Sequence, residues 1–142
     1  MFSKILVAID GSDVGKNAFD QAVDLAKQNN AELHSIYVVE SYHASSGAIE
    51  MNQDIICQDG INAAQTYVDK LIEEAKQKDV TVISHIRSGH PGNTIIDLAG
   101  SLETDLIVIG SRGKSKLDRL ILGSVSLHVL NNTNTNILIV KK

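Results

Sequence analysis

The feature that most restricts the fold of this chain is the regular spacing of short apolar runs along it. Residues 5–9, 106–109 and 137–140 carry only apolar side chains, and residues 33–39 are mostly apolar. Such runs are typical of parallel strands that are covered on both faces. Residues 80–87 mix apolar with polar side chains, which favours a strand at the edge of a sheet. The chain therefore predicts five strands.

Stretches with helical periodicity separate these strands. Ser12 is suited to cap the first helix, and Asp13 suits its first turn. A second helix is predicted from Ile61 and a third from Pro91, with a short fourth helix near the end of the chain. Residues 40–56 show no clean period, and we predict a loop there, of a length often found in functional lids.

The resulting alternation of strands and helices predicts one α/β domain over residues 1–142, with right-handed crossovers and a parallel sheet in three layers. In open sheets of this kind, ligands bind at the carboxyl ends of the strands, where the strand order reverses. If the first and fourth strands are neighbours at that point, Asp10 and Gly110 border one crevice.

The composition excludes several classes of protein. Hydrophobic residues make up 43% of the 142 residues and charged residues 21%, which is ordinary for a globular chain. A net charge of −4 without a long basic stripe argues against nucleic-acid binding. Cys57 is the only cysteine, so neither an internal disulfide nor a zinc cluster is expected. No apolar run has the length of a signal peptide or a membrane span, and we expect a cytoplasmic protein without membrane contact.

A glycine-rich segment follows the fourth predicted strand. Gly110, Gly113 and Gly123, with Ser124 after the last, have the spacing G-x2-G-x9-G-[ST]. Residues without a Cβ adopt positive φ readily and let backbone N–H groups approach a ligand. A helix that begins near Gly123 would add unpaired N–H donors and the positive end of its dipole. Ser124 and Ser126 would add hydroxyl donors, and the combination suits a phosphate chain.

The same segment is locally basic. It contains four bases and one acid, a local charge of +3 in a chain of net charge −4: Arg112, Lys114, Lys116, Arg119 and Asp118. Positive charge beside exposed N–H groups favours phosphate binding. The alternative is that these are solvated charges in a glycine-rich turn of an ordinary βα unit.

Two common nucleotide-binding motifs are absent from the sequence. The run Gly113-Lys114-Ser115 has the end of a Walker A motif, but that motif requires a glycine where this chain has Val108. No G-x-G-x-x-G follows a predicted strand, which excludes the dinucleotide fingerprint. A bound phosphate chain would therefore be held by a different glycine pattern.

That pattern resembles the signature of the ATP-binding branch of the universal stress protein family. Residues 5–12, 105–113 and 122–125 also look like the first strand and turn, the fourth strand and loop, and the following helix start of that family. The resemblance covers essentially the whole chain. It implies five parallel strands in the order 3-2-1-4-5 with helices on both faces. It also implies ATP in the crevice between the first and fourth strands, with Mg²⁺ or Mn²⁺ on its phosphates.

By position, the resemblance assigns two groups of residues to the ATP site. The group that would border adenine and ribose is Ala8, Ile9, Asp10 and Val38. The group that would hold ribose and phosphates is Ile109, Gly110, Arg112, Gly113, Gly123, Ser124, Val125 and Ser126. No residue is assigned a catalytic role. The chain departs from the family pattern at Lys116 and Asn136, where glycine and proline are common.

The last strand carries a separate expectation. An exposed apolar edge strand is an aggregation hazard unless something covers it, and a symmetric partner is one possible cover. The resemblance implies a homodimer built through this strand, whose residues are Ile137, Leu138, Ile139 and Val140.

Several single residues have two interpretations. Asp10 is interpreted as a ligand to the nucleotide or to a metal ion, with a simple Asx-type turn as the alternative. His90 and His128 are suited to acid–base chemistry in principle, but no partner stands at a diagnostic spacing, and we interpret them as structural or surface residues. We interpret Cys57 as an unreactive thiol, with a reactive one as the alternative.

Three functions remain open from the sequence. The first is an ATP-binding stress-response protein whose nucleotide state alters its dimer or its choice of partner. The second is a slow ATPase or a nucleotide-dependent transferase, in which Asp10 and an ion organise the attack. The third is a nucleotide-free dimeric interaction module, which the intact glycine pattern disfavours. A receiver-type signalling domain lacks support because paired acids do not follow the first strand.

Overall fold

A computed structural model describes residues 1–41, 47–113 and 122–141, and it describes side chains for these residues except 47–57. Five strands alternate with four helices in the described chain. The strands are β1 (Lys4–Ile9), β2 (Glu32–Glu40), β3 (Val82–Gly89), β4 (Leu106–Gly110) and β5 (Asn136–Val140). The helices are α1 (Asp13–Asn29), α2 (Gly47–Gln77), α3 (Pro91–Leu102) and α4 (Ser124–Asn132).

All strand pairs are parallel, and the sheet order is β3-β2-β1-β4-β5. The predicted three-layer α/β fold and strand order are therefore confirmed. β1 lies at the centre of the sheet, where Ile5 to Ile9 are all buried, as its apolar run requires. β3 lies at one edge, as its mixed composition predicted, and β5 lies at the other.

Alternate residues of β1, β2, β4 and β5 contribute to two separate cores, and β3 contributes to one of them. One core lies under α1 and α2, where Phe19, Val68 and Leu71 pack against one face of the sheet. The other lies under α3 and α4, where Ile95 and Val129 pack against the opposite face. The sheet is therefore covered on both faces. Because all strands are parallel, their carboxyl ends lie together along one edge of the sheet.

The helix starts follow the capping signals of the sequence. The Ser12 Oγ accepts a hydrogen bond from the Gly15 N–H at 3.1 Å, which caps α1 as predicted. Asp13 lies in the first turn of that helix, and Pro91 begins α3. The Ser12 cap and the Asp13 charge in the first turn thus determine where α1 begins after β1.

The predicted loop over residues 40–56 is wrong for most of its length. β2 includes Glu40, and α2 begins at Gly47 and runs for 31 residues. The first part of α2 lacks an apolar stripe, yet its sequence contains good helix formers such as Ala48, Met51 and Gln53. Periodicity reports the burial of one helix face rather than helicity itself, so it missed this part. Residues 42–46 lie outside the described residues.

In the described residues, no helix combines the length and the apolar character that crossing a membrane requires.

Candidate functional site

A cleft of about 600 Å³ opens at the carboxyl ends of β1 and β4, where the strand order reverses. Its lining includes every site residue that the sequence analysis selected, brought together from four separate stretches. These are Ala8, Ile9, Asp10, Val38, Ile109, Gly110, Arg112, Gly113, Gly123, Ser124, Val125 and Ser126. The volume falls within the range of small-molecule sites in proteins.

The remaining part of the lining was not predicted from the sequence. These residues belong to the end of β2, the start of α1, and helices α2 and α3: Gly15, Ile36, Tyr37, Val39, Glu40, Gly60, Ala63, Pro91 and Ile95. The small residues Gly60 and Ala63 were the sequence signal that could have placed α2 beside the cleft, because small side chains leave room beside the strand ends. The sequence predicted a loop up to residue 56 and a helix only from Ile61, so it gave no reason to place Gly60 and Ala63 beside the cleft.

Asp10 forms the Asx-type turn that was one of its two interpretations, and it also lines the cleft. Its Oδ1 accepts hydrogen bonds from the Ser12 N–H at 2.9 Å and from the Ser12 hydroxyl at 2.5 Å, which is an Asx-type turn. Its carbonyl oxygen accepts a hydrogen bond from the Tyr37 hydroxyl at 3.2 Å. Its carboxylate also borders the cleft, so the turn holds this charge in a fixed position.

Two glycines enclose that carboxylate. A Cβ at Gly113 would lie 2.8 Å from the Asp10 Oδ2, and a Cβ at Gly15 would lie 2.9 Å from the Asp10 Oδ1. Both distances are shorter than real Cβ contacts, so neither position accommodates a side chain without movement. The missing side chains therefore let the loop after β4 and the first turn of α1 close on Asp10.

The motif glycines are not needed for positive φ, contrary to one part of the sequence argument. The described glycines with positive φ are Gly11 and Gly89, and Gly123 has a φ of −73°. Gly110 is required for packing instead, because its Cβ would lie 2.8 Å from Val14 Cγ1 and 3.2 Å from the Val14 carbonyl carbon. At Gly123 the nearest atom would be 3.4 Å away, which is ordinary contact.

The backbone N–H and carbonyl of Ser111 connect three parts of the site. Its N–H donates to the Val140 carbonyl at 2.7 Å, and its carbonyl accepts from the Gly123 N–H at 2.6 Å and from the Ser126 hydroxyl at 3.0 Å. The Ser126 hydroxyl, expected to face a ligand, is therefore engaged within the protein and is buried. These bonds fix the ends of β4 and β5 and the start of α4 relative to one another.

The start of α4 leaves backbone donors at the cleft. The helix has no side-chain cap, and the N–H groups of Ser124, Val125 and Ser126 meet no acceptor in the part of the chain that the structure describes. The positive end of the helix dipole lies at the same place. The arrangement can therefore bind an anion beside Arg112, which also lines the cleft. Lys114, Lys116 and Arg119 lie outside the described residues.

A family model described as "Universal stress protein family" matches residues 1–141. The chain belongs to the universal stress protein family. A universal stress protein of Bacillus subtilis is 37% identical over 150 residues, covering 99% of this chain and 100% of the relative. Among solved structures, the universal stress protein UspA from Lactobacillus plantarum has a TM-score of 0.92 at 26% identity, covering 98% of this chain and 97% of its own.

A third neighbour is a universal stress protein whose structure was solved in complex with cAMP. It has a TM-score of 0.71 at 25% identity, and the match covers 98% of this chain and 96% of that one. These neighbours share the three-layer fold and the sheet order of the present universal stress protein.

The two histidines singled out in the sequence have structural contacts in this universal stress protein. The His90 Nδ1 accepts a hydrogen bond from the Asn93 N–H at 3.1 Å and so caps α3. His128 Nε2 lies 2.7 Å from the Asn93 Oδ1, and the two imidazole rings make an edge contact with centroids 5.1 Å apart. These contacts agree with the structural interpretation of both residues. The Cys57 side chain lies outside those that the structure describes.

Among the described residues, no group of three or more His, Cys, Asp or Glu side chains is placed to hold a metal ion. The Asp10 Oδ1 is already hydrogen-bonded twice by Ser12, and within the described ranges no hydrogen bond reaches its Oδ2. A divalent ion at this cleft would therefore need most of its ligands from another molecule and from water.

Proposed function

We propose that this universal stress protein binds ATP in the cleft, in the cytoplasm, and that the bound nucleotide serves as a regulatory signal. The observation that carries the proposal is the convergence of twelve residues, selected from the sequence for an ATP site, on one cleft at the β1/β4 switch point. A convergence of four distant stretches on one volume is what a built ligand site requires.

The phosphate end of the cleft has the chemistry that a polyanion requires. The N–H groups at the start of α4 have no acceptor among the described residues, and a Cβ added at Gly123 would already contact the backbone of Ser111, Arg112 and Gly113. A phosphate chain would replace water at these donors and lie at the positive end of the helix dipole. The Arg112 side chain lines the same end and supplies a charge of the right sign.

The other end of the cleft is suited to a base and a sugar. Ala8, Ile9, Val38 and Ile109 contribute apolar lining, and Asp10 adds a carboxylate to the same cleft. A flat apolar base fits against such walls, while a carboxylate accepts hydrogen bonds from ribose hydroxyls. The neighbour solved in complex with cAMP shows that a member of this family at 25% identity binds an adenine nucleotide. Mg²⁺ or Mn²⁺ would accompany the phosphates of ATP as the shared ligand of their oxygens.

The first test is to identify what the protein carries and binds. The chain has no tryptophan and three tyrosines, so its own absorbance at 280 nm is weak and bound adenine raises the 260/280 ratio. We expect heat to release an adenine nucleotide that chromatography identifies. After removal of that nucleotide, calorimetry should show saturable ATP binding that GTP at the same concentration does not match. A protein that binds no ATP at millimolar concentration, with or without Mg²⁺, would contradict the proposal.

A regulatory role and a hydrolytic role predict different behaviour of the bound nucleotide. We expect ATP that is bound with Mg²⁺ or Mn²⁺ to dissociate unchanged, because its hydrolysis would be much slower than its release. Chromatography of the nucleotide after timed incubation measures this directly. Rapid and repeated conversion to ADP would instead favour the enzyme hypothesis.

We further propose that the protein forms a homodimer through the outer edge of β5. Among the described residues, β5 pairs with β4 alone, and its Ile137, Leu138 and Ile139 are only half-buried. Two leucines of α4 add exposed apolar surface: Leu127 is 46% exposed and Leu130 is 45% exposed. Pairing of two such edges would satisfy their backbone groups and cover apolar surface together.

Replacing Ile139 with Lys is expected to shift the protein from dimer to monomer on a sizing column with light scattering. The charged side chain would be placed at the covered apolar edge, where burial of an unpaired charge is costly. Ile83→Lys is the matched control, because Ile83 is 43% exposed on the opposite edge strand β3. A dimer that persists in the Ile139 variant, or that is lost equally in the Ile83 variant, would argue against this interface.

A further inference from the structure

A chain of three titratable side chains crosses the α3-facing side of the sheet, away from the cleft. His34 on β2 is 4% exposed, and its Nδ1 lies 2.9 Å from the Nε2 of His85 on β3. The other nitrogen of His34, Nε2, lies 2.5 Å from the Oε1 of Glu32. Glu32 is half-exposed, so the chain runs from solvent through a buried imidazole to a second imidazole.

The geometry of the two rings determines what can lie between them. The ring centroids are 5.2 Å apart, the nitrogens are 2.9 Å apart, and the ring planes differ by 19°. The centroid distance equals the nitrogen distance plus about two ring radii, which is the largest value that this nitrogen distance permits. The two ring centres and the two nitrogens therefore lie nearly on one line, edge to edge in a common plane.

Two lone pairs that point directly at each other hold a proton and not a metal ion. An imidazole nitrogen binds an ion such as zinc at about 2.0–2.1 Å, so an ion on the line between two facing nitrogens would hold them about 4 Å apart. A linear N···N arrangement at 2.9 Å is instead a hydrogen bond in which one ring donates and the other accepts. This agrees with the finding that no metal-binding group of three occurs among the described residues.

The tautomers follow from Glu32. Its carboxylate can only accept, so the His34 Nε2 carries a hydrogen and the His34 Nδ1 of the neutral ring accepts. The His85 Nε2 then donates, and its Nδ1 is the site for an incoming proton. When that proton binds, His85 can pass its Nε2 proton to His34 and become the other neutral tautomer. The charge then lies on His34, where Glu32 balances it.

We propose that Glu32, His34 and His85 act as a proton-operated clamp: the chain takes up one proton and still holds edge strand β3 on β2, and it opens when a second proton binds. The first proton leaves every hydrogen bond of the chain in place, with charge-assisted bonds on both sides of His34. A second proton gives two cationic rings with N–H groups that face each other, which removes the bond and adds repulsion.

The surrounding charges favour this order of events. Burial, together with His34 and Arg87, lowers the pKa of His85, so the second charge is disfavoured at that ring. The hydrogen bond from His34, aided by Lys4, lowers the pKa of Glu32, which stays ionised as the counter-charge. The helix that covers this face, α3, contributes apolar residues such as Ile95 and Ala99 to the core, and its Asp97 is exposed.

The sign of the pH effect follows from the lowered pKa of His85. An unfolded chain protonates this residue near its ordinary pKa of 6.5, whereas the folded chain does so only at lower pH. The fold therefore loses stability as the pH falls below about 6.5, and the loss ends once the folded chain is protonated as well. Above that window His85 contributes no pH dependence.

Two measurements on the full chain test the clamp. Imidazole ¹⁵N shifts during an acid titration should show a first step that takes up one proton for the pair and moves the neutral-ring hydrogen of His85 from Nε2 to Nδ1. Hydrogen exchange, corrected for the intrinsic pH effect, should show protection of β3 amides lost in acid while β1 and β4 stay protected. Two independent titrations without a tautomer change, or β3 protection that acid leaves unaltered, would overturn the proposal.

Variants separate the clamp from a general acid effect. In His85→Gln the side-chain amide can still donate to His34 but does not titrate, so the acid-dependent loss of β3 protection should disappear. Glu32→Gln removes the counter-charge and should lower the midpoint of the first proton uptake. His128→Gln removes a histidine of α4 and should leave both readouts unchanged. Retention of the acid response in His85→Gln would also overturn the proposal.

Discussion

Replacing Gly123 with Val is expected to abolish ATP binding while the fold persists. The Cβ would meet its nearest neighbour, the Arg112 Cα, at 3.4 Å, which is ordinary contact. The two methyl groups beyond it would occupy the space from which a phosphate reaches the N–H groups of Ser124 and Val125. Loss of two hydrogen bonds to a charged group corresponds to roughly 3 kcal/mol or more, a decrease in affinity of at least about 100-fold. Calorimetry with ATP measures it.

The control for this variant is Gly123→Ala, whose Cβ makes the same contacts with less intrusion into the cleft. We expect its ATP affinity to lie between those of the wild type and the Val variant. Thermal unfolding of all three proteins should occur at similar temperatures. Wild-type affinity in the Val variant would show that phosphates do not bind at the start of α4, and a large fall in its unfolding temperature would show that Gly123 is a packing residue.

Replacing Gly110 with Val is expected to destabilise the protein, although both glycines belong to one sequence motif. Gly110 ends β4 against the first turn of α1, and its Cβ would lie 2.8 Å from Val14 Cγ1 and 3.3 Å from the Val14 carbonyl oxygen. Because the backbone of α1 blocks the position, the chain cannot relieve the conflict by rotating one side chain. Overpacking of this kind costs about 3 kcal/mol, the upper end of its usual range. The unfolding temperature should fall by roughly 10 °C.

Gly100 provides the matched control for that prediction. It lies in α3 with no heavy atom within 4 Å of an added Cβ, so Gly100→Ala should leave the protein as stable or more stable by up to about 1 kcal/mol. Denaturant unfolding of the two variants beside the wild type measures both effects. Equal stability of the Gly110 variant and the wild type would mean that α1 can move away from β4.

The sequence predicted the strands well because their burial leaves a local record. A wholly apolar run such as residues 106–109 is explicable only by cover on both faces, and the structure places it between β1 and β5. The order of the strands has no local signal in the sequence, because it depends on contacts across the whole chain. The predicted order came from the family resemblance. The start of α2 was missed because hydrophobic periodicity records the packing of one helix face, and the sequence of residues 40–56 has no clean period.

The candidate site was predicted in position but only partly in chemistry. Glycine spacing located the loop after β4, yet it could not distinguish Gly110, where an added Cβ is too close to Val14, from Gly123, where an added Cβ would make only ordinary contacts. The composition of the segment suggested that the Ser126 hydroxyl was a ligand donor. In the folded chain the nearer acceptor is the Ser111 carbonyl at 3.0 Å, a contact between residues 15 positions apart that no local pattern encodes.

The hydroxyl of Tyr37 gives the cleft an optical reporter of its own. This ring lines the cleft, donates to the Asp10 carbonyl at 3.2 Å and makes an edge contact with Tyr67 at 6.2 Å between centroids. With no tryptophan in the chain, ultraviolet emission comes from tyrosine alone. The emission of the unlabelled protein therefore includes a contribution from the cleft, and a Tyr37→Phe variant gives the background of the other two tyrosines.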